Sequence, residues 1–111
     1  MMPGSCRLHC SLYPLSPVEA DRAIAVIRQC WAAPHAVRRG NRQGAILLEL
    51  TIEALLPENE SAEALLDRIS IALWQKIGRF VRIAHDFSID TKPSGNVQLE
   101  EPDYIRLMRH T

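Results

Sequence analysis

The hydrophobic period of this chain switches back and forth between the two values that regular secondary structure allows, and the order of those switches constrains the fold more than any single motif. From Arg7 to Tyr13, the residues Leu8, Cys10 and Leu12 alternate with Arg7, His9, Ser11 and Tyr13. That period of two fits a strand with one apolar face. Pro14 is expected to end it, because proline brings no N–H to a ladder. Ser16, Pro17 and Glu19 then form a capping box with proline at the first helical position. Ala20, Ile24, Ile27 and Trp31 follow at helical spacing, which predicts an amphipathic helix from Pro17 to Trp31. Pro34 prevents its continuation.

His35 to Arg39 is a short edge-strand candidate, and the run from Gly40 to Gly44 has turn chemistry. Ala45 to Leu55 is a long strand with Ile46, Leu48, Leu50, Ile52 and Ala54 on one face; it should pair with the preceding strand as a hairpin. Ala62, Leu65, Leu66, Ile69, Leu73 and Ile77 make the stripe of a second helix, and Gly78 is its natural stop. Trp74 falls slightly off that stripe, so partial exposure is expected. Phe80 to Ile89 alternates again and reads as a fourth strand.

The resulting fold class is α+β: a ferredoxin-like βαββαβ two-layer sandwich with a short C-terminal helix. Right-handed crossovers predict the spatial order fourth, first, third, second. Residues 1–90 are assigned to this domain and 91–111 to a C-terminal extension. Within the extension, Thr91 to Asn96 reads as loop, Val97 to Leu99 as a short added strand, and Pro102 to Arg109 as a short helix packing on its own or a partner chain.

Composition narrows the function classes. The 111 residues suit one domain, and the 13 basic side chains equal the 13 acidic ones. A neutral chain lacks the basic excess of a non-specific nucleic-acid binder and has no electrostatic reason to adhere to anionic membranes. No segment approaches the roughly 20 apolar residues of a membrane-spanning helix. Cys6, Cys10 and Cys30 are an odd count, and Met1 to Ser5 shows no signal-peptide start, so a cytoplasmic location is expected.

With helices on one side of the sheet, the other side stays open. Alternation assigns to it Arg7, His9, Ser11 and Tyr13, then Leu47, Glu49, Thr51 and Glu53, then Phe80, Arg82, Ala84, Asp86 and Ser88. The candidate ligand-binding set is His9, Ser11, Tyr13, Glu49, Thr51 and Arg82, with His9 expected near both Glu49 and Arg82. Cys6, His9 and Cys10 do not make a metal site, since a strand sends the cysteines to one face and the histidine to the other. His85 falls on the core side, where a hydrogen bond accounts for it. The cluster Arg38, Arg39 and Arg42 reads as a solvated charge run. There is no Gly-rich phosphate loop, no G-x-S-x-G and no H-E-x-x-H, so no catalytic residue and no cofactor is assigned.

The run Ser11-Leu12-Tyr13-Pro14-Leu15, closing the first strand, resembles a motif of the small ferredoxin-like proteins that bind thiamine or related pyrimidines and assemble through their sheets. Ser11 and Tyr13 are the matched polar positions. The chain departs from that pattern after Leu15, where Ser16-Pro17 stands in place of a small glycine turn, and it lacks the family's glycine-rich second strand. The resemblance implies a sheet-face ligand and assembly of copies.

Three functional readings follow. The leading one is a non-enzymatic domain that self-associates through the open sheet face, as a homodimer or higher homo-oligomer, with a small organic ligand as a candidate occupant. The second is a small enzyme of the dimeric α/β-barrel type, which needs His9 or His85 in a closed pocket. The third is an accessory module that docks another protein through Tyr104, Ile105 and Met108 of the C-terminal helix.

Overall fold

The computed structural model describes residues 4–90 and 92–109, with the side chains of 92–94 outside that description. Its elements are β1 (Ser5–Leu15), α1 (Pro17–Cys30), β2 (Ala36–Arg42), β3 (Ala45–Leu55), α2 (Ala62–Ile77), β4 (Arg82–Ile89), β5 (Lys92–Leu99) and α3 (Glu101–Met108). The architecture is α+β: one five-stranded sheet in the order β2-β3-β1-β4-β5. Every neighbouring pair is antiparallel.

Each helix forms where its local chemistry stops and starts it. At α1 the Ser16 side chain accepts from the Glu19 N–H at 3.2 Å, and the Glu19 carboxylate accepts from the Ser16 N–H at 2.9 Å. At α2 the Ser61 hydroxyl accepts from the Ala64 N–H at 3.1 Å, and Gly78 closes the helix in the left-handed region at φ 91°. The buried core then lies between the helices and one sheet face. Leu8, Cys10 and Leu12 of β1, Leu48, Leu50 and Ile52 of β3, and Ile83 and His85 of β4 are fully buried against Ala20, Ala23 and Ile27 of α1 and Ile69 and Leu73 of α2.

Several expectations need correction. β1 does not end at Pro14; it continues to Leu15 through a cis Tyr13-Pro14 peptide, with a register shift between Leu12 and Leu15 against β3. β2 runs to Arg42 rather than Arg39, so the turn is confined to Gln43 and Gly44, both at positive φ. The segment read as loop is largely β5, which pairs with β4 from Lys92 onward. Gly95 stands opposite Phe87, and a Cβ there would come within 2.8 Å of the Phe87 ring. Proline and glycine in β5 made it look like a turn, but an edge strand tolerates both.

Trp74 is not exposed. It is 1% accessible, and its indole N–H donates to the Val81 carbonyl at 2.9 Å. Phe80 stands outside β4 and belongs to the helix side, with its ring 6.2 Å from that of Trp74 and 5.6 Å from that of Tyr104. Tyr104 in turn meets Trp74 edge-on at 5.1 Å, which fastens α3 to α2. Leu107 is buried in the same core. Thus α3 packs on its own chain and does not fold over the open face.

Candidate functional site

The open face is built by three central strands in register. His9 stands opposite Thr51 of β3 and Asp86 of β4; Ser11 stands opposite Glu49 and Ala84; Tyr13 stands opposite Arg82. Alternation puts all of these on the side away from α1 and α2, and no helix covers them. The predicted set, His9, Ser11, Tyr13, Glu49, Thr51 and Arg82, therefore does share one face.

Within that face the set divides. His9 Nε2 lies 3.5 Å from Glu49 Oε2, with both side chains partly exposed. Arg82 does not join them. It pairs with Tyr13, four residues along β1 from His9, and its Nε donates to Glu100 at 3.0 Å. Tyr13 lies along the face and donates its hydroxyl to the Arg42 carbonyl at 3.0 Å, tying β1 to the end of β2. With Phe80 removed to the helix side, the apolar side chains left on the face are half-buried Leu47 and Ala84 and, at its edge opposite Ser5, exposed Leu55. The face is polar and carries charges of both signs.

Two hollows flank its centre. One, of about 490 Å³, is lined by Ser5, Arg7, Glu53, Ser88 and Asp90. The other, of about 390 Å³, is lined by Tyr13, Pro14, Arg79, Phe80, Val81 and Arg82. The arginines of the second are engaged: Arg79 pairs with Glu19 at 2.8 Å and donates to the Pro14 carbonyl, and Arg82 holds Glu100. Sequence reasoning placed Arg7, Glu53 and Ser88 on the open face but did not single them out, because only the register shows that Arg7 stands between Glu53 and Ser88.

The remaining candidates sit in the core or the solvent. His85 is completely buried, and its Nε2 lies 2.8 Å from Ser70 Oγ. Ser70 spends its own proton on the Leu66 carbonyl at 2.7 Å, so the imidazole must donate from Nε2 and leave Nδ1 bare. Burial pushes its pKa down to about 4, which keeps the ring neutral. Cys6 and Cys10 are buried on the core face, and burial pushes the Cys10 thiol up to about 12, far from a reactive thiolate. Among the described residues, no group of three or more His, Cys, Asp or Glu side chains could hold a metal ion. Arg39 turns to Asp21 of α1 at 2.5 Å, while Arg38 and Arg42 stay exposed. His35 lies 4.0 Å from Glu53, and His110 is outside the described residues. Of the C-terminal helix, Tyr104 and Met108 pack against the core, and Ile105 is exposed. Among the described residues, no helix is long and apolar enough to cross a membrane.

No protein-family model matches the chain, and no curated protein matches it. Two solved structures match the chain in a structural comparison. One is a phage SAM lyase in its apo state, 13% identical, covering 88% of this chain and 89% of that one with a TM-score of 0.49. The other is a phage SAM lyase in complex with S-methyl-5'-thioadenosine, 14% identical, covering 89% and 91% with a TM-score of 0.49.

Proposed function

We propose that this chain is a ferredoxin-like domain whose open sheet face binds a small polar organic molecule, in a cytoplasmic setting. The observation that carries the reading is the composition of that face: hydroxyls, carboxylates, an imidazole and guanidinium groups stand in register on a surface no helix covers. A face destined for solvent alone needs only scattered charge, whereas binding sites gather a few oriented polar groups beside a hollow. An enzymatic role is less well supported. His9 and Glu49 lie together on an open surface, and His85 is sealed in the core beside Ser70.

Self-association is the second reading, and β2 favours it. All seven of its residues are exposed, including Val37, which by register points to the helix side yet is 46% accessible. An edge strand bare on both sides is a surface that a second copy can cover.

Native mass spectrometry of the protein as purified tests both. A retained organic mass supports ligand binding, and its value identifies the compound class. A dimer or larger assembly without added mass favours self-association. A bare monomer that also binds nothing from a metabolite extract overturns both readings.

A further inference from the structure

We propose that β2 pairs antiparallel with β2 of a second copy, on a two-fold axis at Arg39, so that two five-stranded sheets join edge to edge. This rests on the self-association reading above and names its surface and register. β2 is an outermost strand with β3 as its neighbour, and all seven of its residues are exposed. Its outer row of N–H and C=O groups has no partner in the sheet. The opposite edge, β5, is a poorer template: it contains Pro93, which brings no N–H, and its register against β4 shifts. Arg39 is the middle residue of β2, so an axis there pairs the strand over its whole length. Seven opposed pairs of an antiparallel ladder make about six to eight hydrogen bonds.

Side-chain size selects that register. Ala36, Arg38 and Gly40 stand opposite Thr51, Glu49 and Leu47 of β3, so they and Arg42 belong to the open face. An axis at Arg39 sets Arg38 against Gly40 of the second copy, and Arg42 against its Ala36. Each large side chain then faces a small residue. Moving the axis by one residue sets Arg38 against its own copy or against Arg42. On the helix side, Val37 faces Asn41 of the second copy. Arg39 faces Arg39, and each of that pair is already held by an Asp21.

Charge selects it as well. The guanidinium groups of Arg38 and Arg42 make no hydrogen bond or ion pair among the described residues. The carboxylates of the next strand, Glu49 and Glu53, meet histidines and no arginine: His9 at 3.5 Å and His35 at 4.0 Å. Within one chain these two sets stay unmatched, and across the joint they match. Neighbouring strands lie about 4.8 Å apart, so Arg42, crossing over Ala36 of the second copy, is about 10 Å from the next strand in, its β3. It arrives there in the row of Thr51, between Glu49 and Glu53 on the same face. Arg38 crosses over Gly40 to Leu47, beside Glu49. The way is open, because a Cβ built at Gly40 meets nothing nearer than the Leu47 carbonyl at 4.0 Å. Charged side chains on an edge ordinarily keep other strands away. Here they admit a strand of the same sequence in one register.

Charge reversal on each side of the joint tests the pairing. The acidic variant carries Arg38→Glu and Arg42→Glu; the basic variant carries Glu49→Arg and Glu53→Arg. In sedimentation velocity the unchanged chain is expected to run as a dimer, and each variant alone to associate about a hundredfold more weakly, because like charges then meet across the joint. An equal mixture of the two variants is expected to recover a one-to-one dimer, which also shows that both are folded. Arg39→Cys, oxidised, should give a covalent dimer linked through residue 39, since directly opposed Cα atoms lie about 4.5–5.5 Å apart, within disulfide reach. Val37→Cys, which faces Asn41, should not. A dimer that ignores both charge reversals and leaves Arg39→Cys unlinked overturns the β2 pairing, while self-association through another surface stands. An unchanged chain that stays monomeric into the millimolar range overturns both.

Discussion

Leu50 and Glu49 are neighbours in β3, yet they live under opposite rules. Leu50 is fully buried between Cys10 of β1 and Val37 of β2, beneath the helices. Glu49 points the other way, half-buried, with His9 as its neighbour and no helix above it. The contrast holds along the central strands. The covered face is Leu, Ile, Cys, Phe87 and one neutral histidine, nearly all of it out of reach of solvent; the open face is mainly Arg, His, Ser, Glu, Thr and Asp. Stability is concentrated on one side of a single sheet, which leaves the residues of the other side free to be chosen for recognition.

The largest break of this contrast should come from truncating one side and then the other. Leu50→Ala removes buried methyl groups where the surroundings cannot close, and should cost about 2–5 kcal/mol in urea unfolding at unchanged slope. Glu49→Ala, one residue away, should stay within about 0.5 kcal/mol. Comparable losses at the two positions would mean that the open face is also a packed surface.

Acid sharpens the same contrast, because the buried face contains a titratable group. His85 has an ordinary pKa of 6.5 that burial lowers to about 4 in the folded chain. Between those values the unfolded chain holds the extra proton, so stability falls as pH drops from about 6.5 to about 4. The accumulated loss is about 3 kcal/mol at most. Unfolding midpoints measured across this range should show the slope, and His85→Leu should flatten it. Glu19 contributes separately: its hydrogen bonds from Arg79 hold its carboxyl below the usual range, so its contribution is present above the unfolded pKa and lost only at more acidic pH.

Glu19 also closes the two-helix layer from its end. It completes the α1 capping box and grips Arg79, which follows α2 and reaches the Pro14 carbonyl. Glu19→Ala should cost about 1–2 kcal/mol in thermal or urea unfolding. Glu19→Gln, which keeps the capping acceptor, should recover part of that. A null effect would show that α1 is held by its buried stripe alone.

Most of this division was legible in the sequence because the strand period is an integer. Alternation from Arg7 to Tyr13 assigns each side chain to a face without any knowledge of partners. What alternation lacks is register. The face of His9 and Arg82 was readable, but their separation was not, and neither was the meeting of Arg7, Glu53 and Ser88. Elements stabilised from outside themselves also escaped. Trp74 is off the α2 stripe because its cover comes from Phe80, just past the end of the helix, and from Tyr104 of α3, and the helical wheel of α2 holds no trace of them. β5 was hidden because the glycine that makes room for the Phe87 ring looks locally like a turn.

The smallest effect probes where the covered face stops. By register Arg39 of β2 points to the helix side, opposite Leu48, but it meets Asp21 of α1 in an ion pair with 41% and 69% of the two side chains exposed. The helix layer therefore ends over β3, and the outer strand is bridged by charge where the inner strands are sealed by leucine. Exposed pairs of this kind contribute about 0–1 kcal/mol and weaken with salt. Asp21→Ala should fall in that range and lose its effect in about 1 M sodium chloride, where charges are screened within about 3 Å. A loss as large as that of Leu50→Ala, insensitive to salt, would place Arg39 inside the packed layer. In that case β2 would be part of the core, and its bare edge would no longer support association between copies.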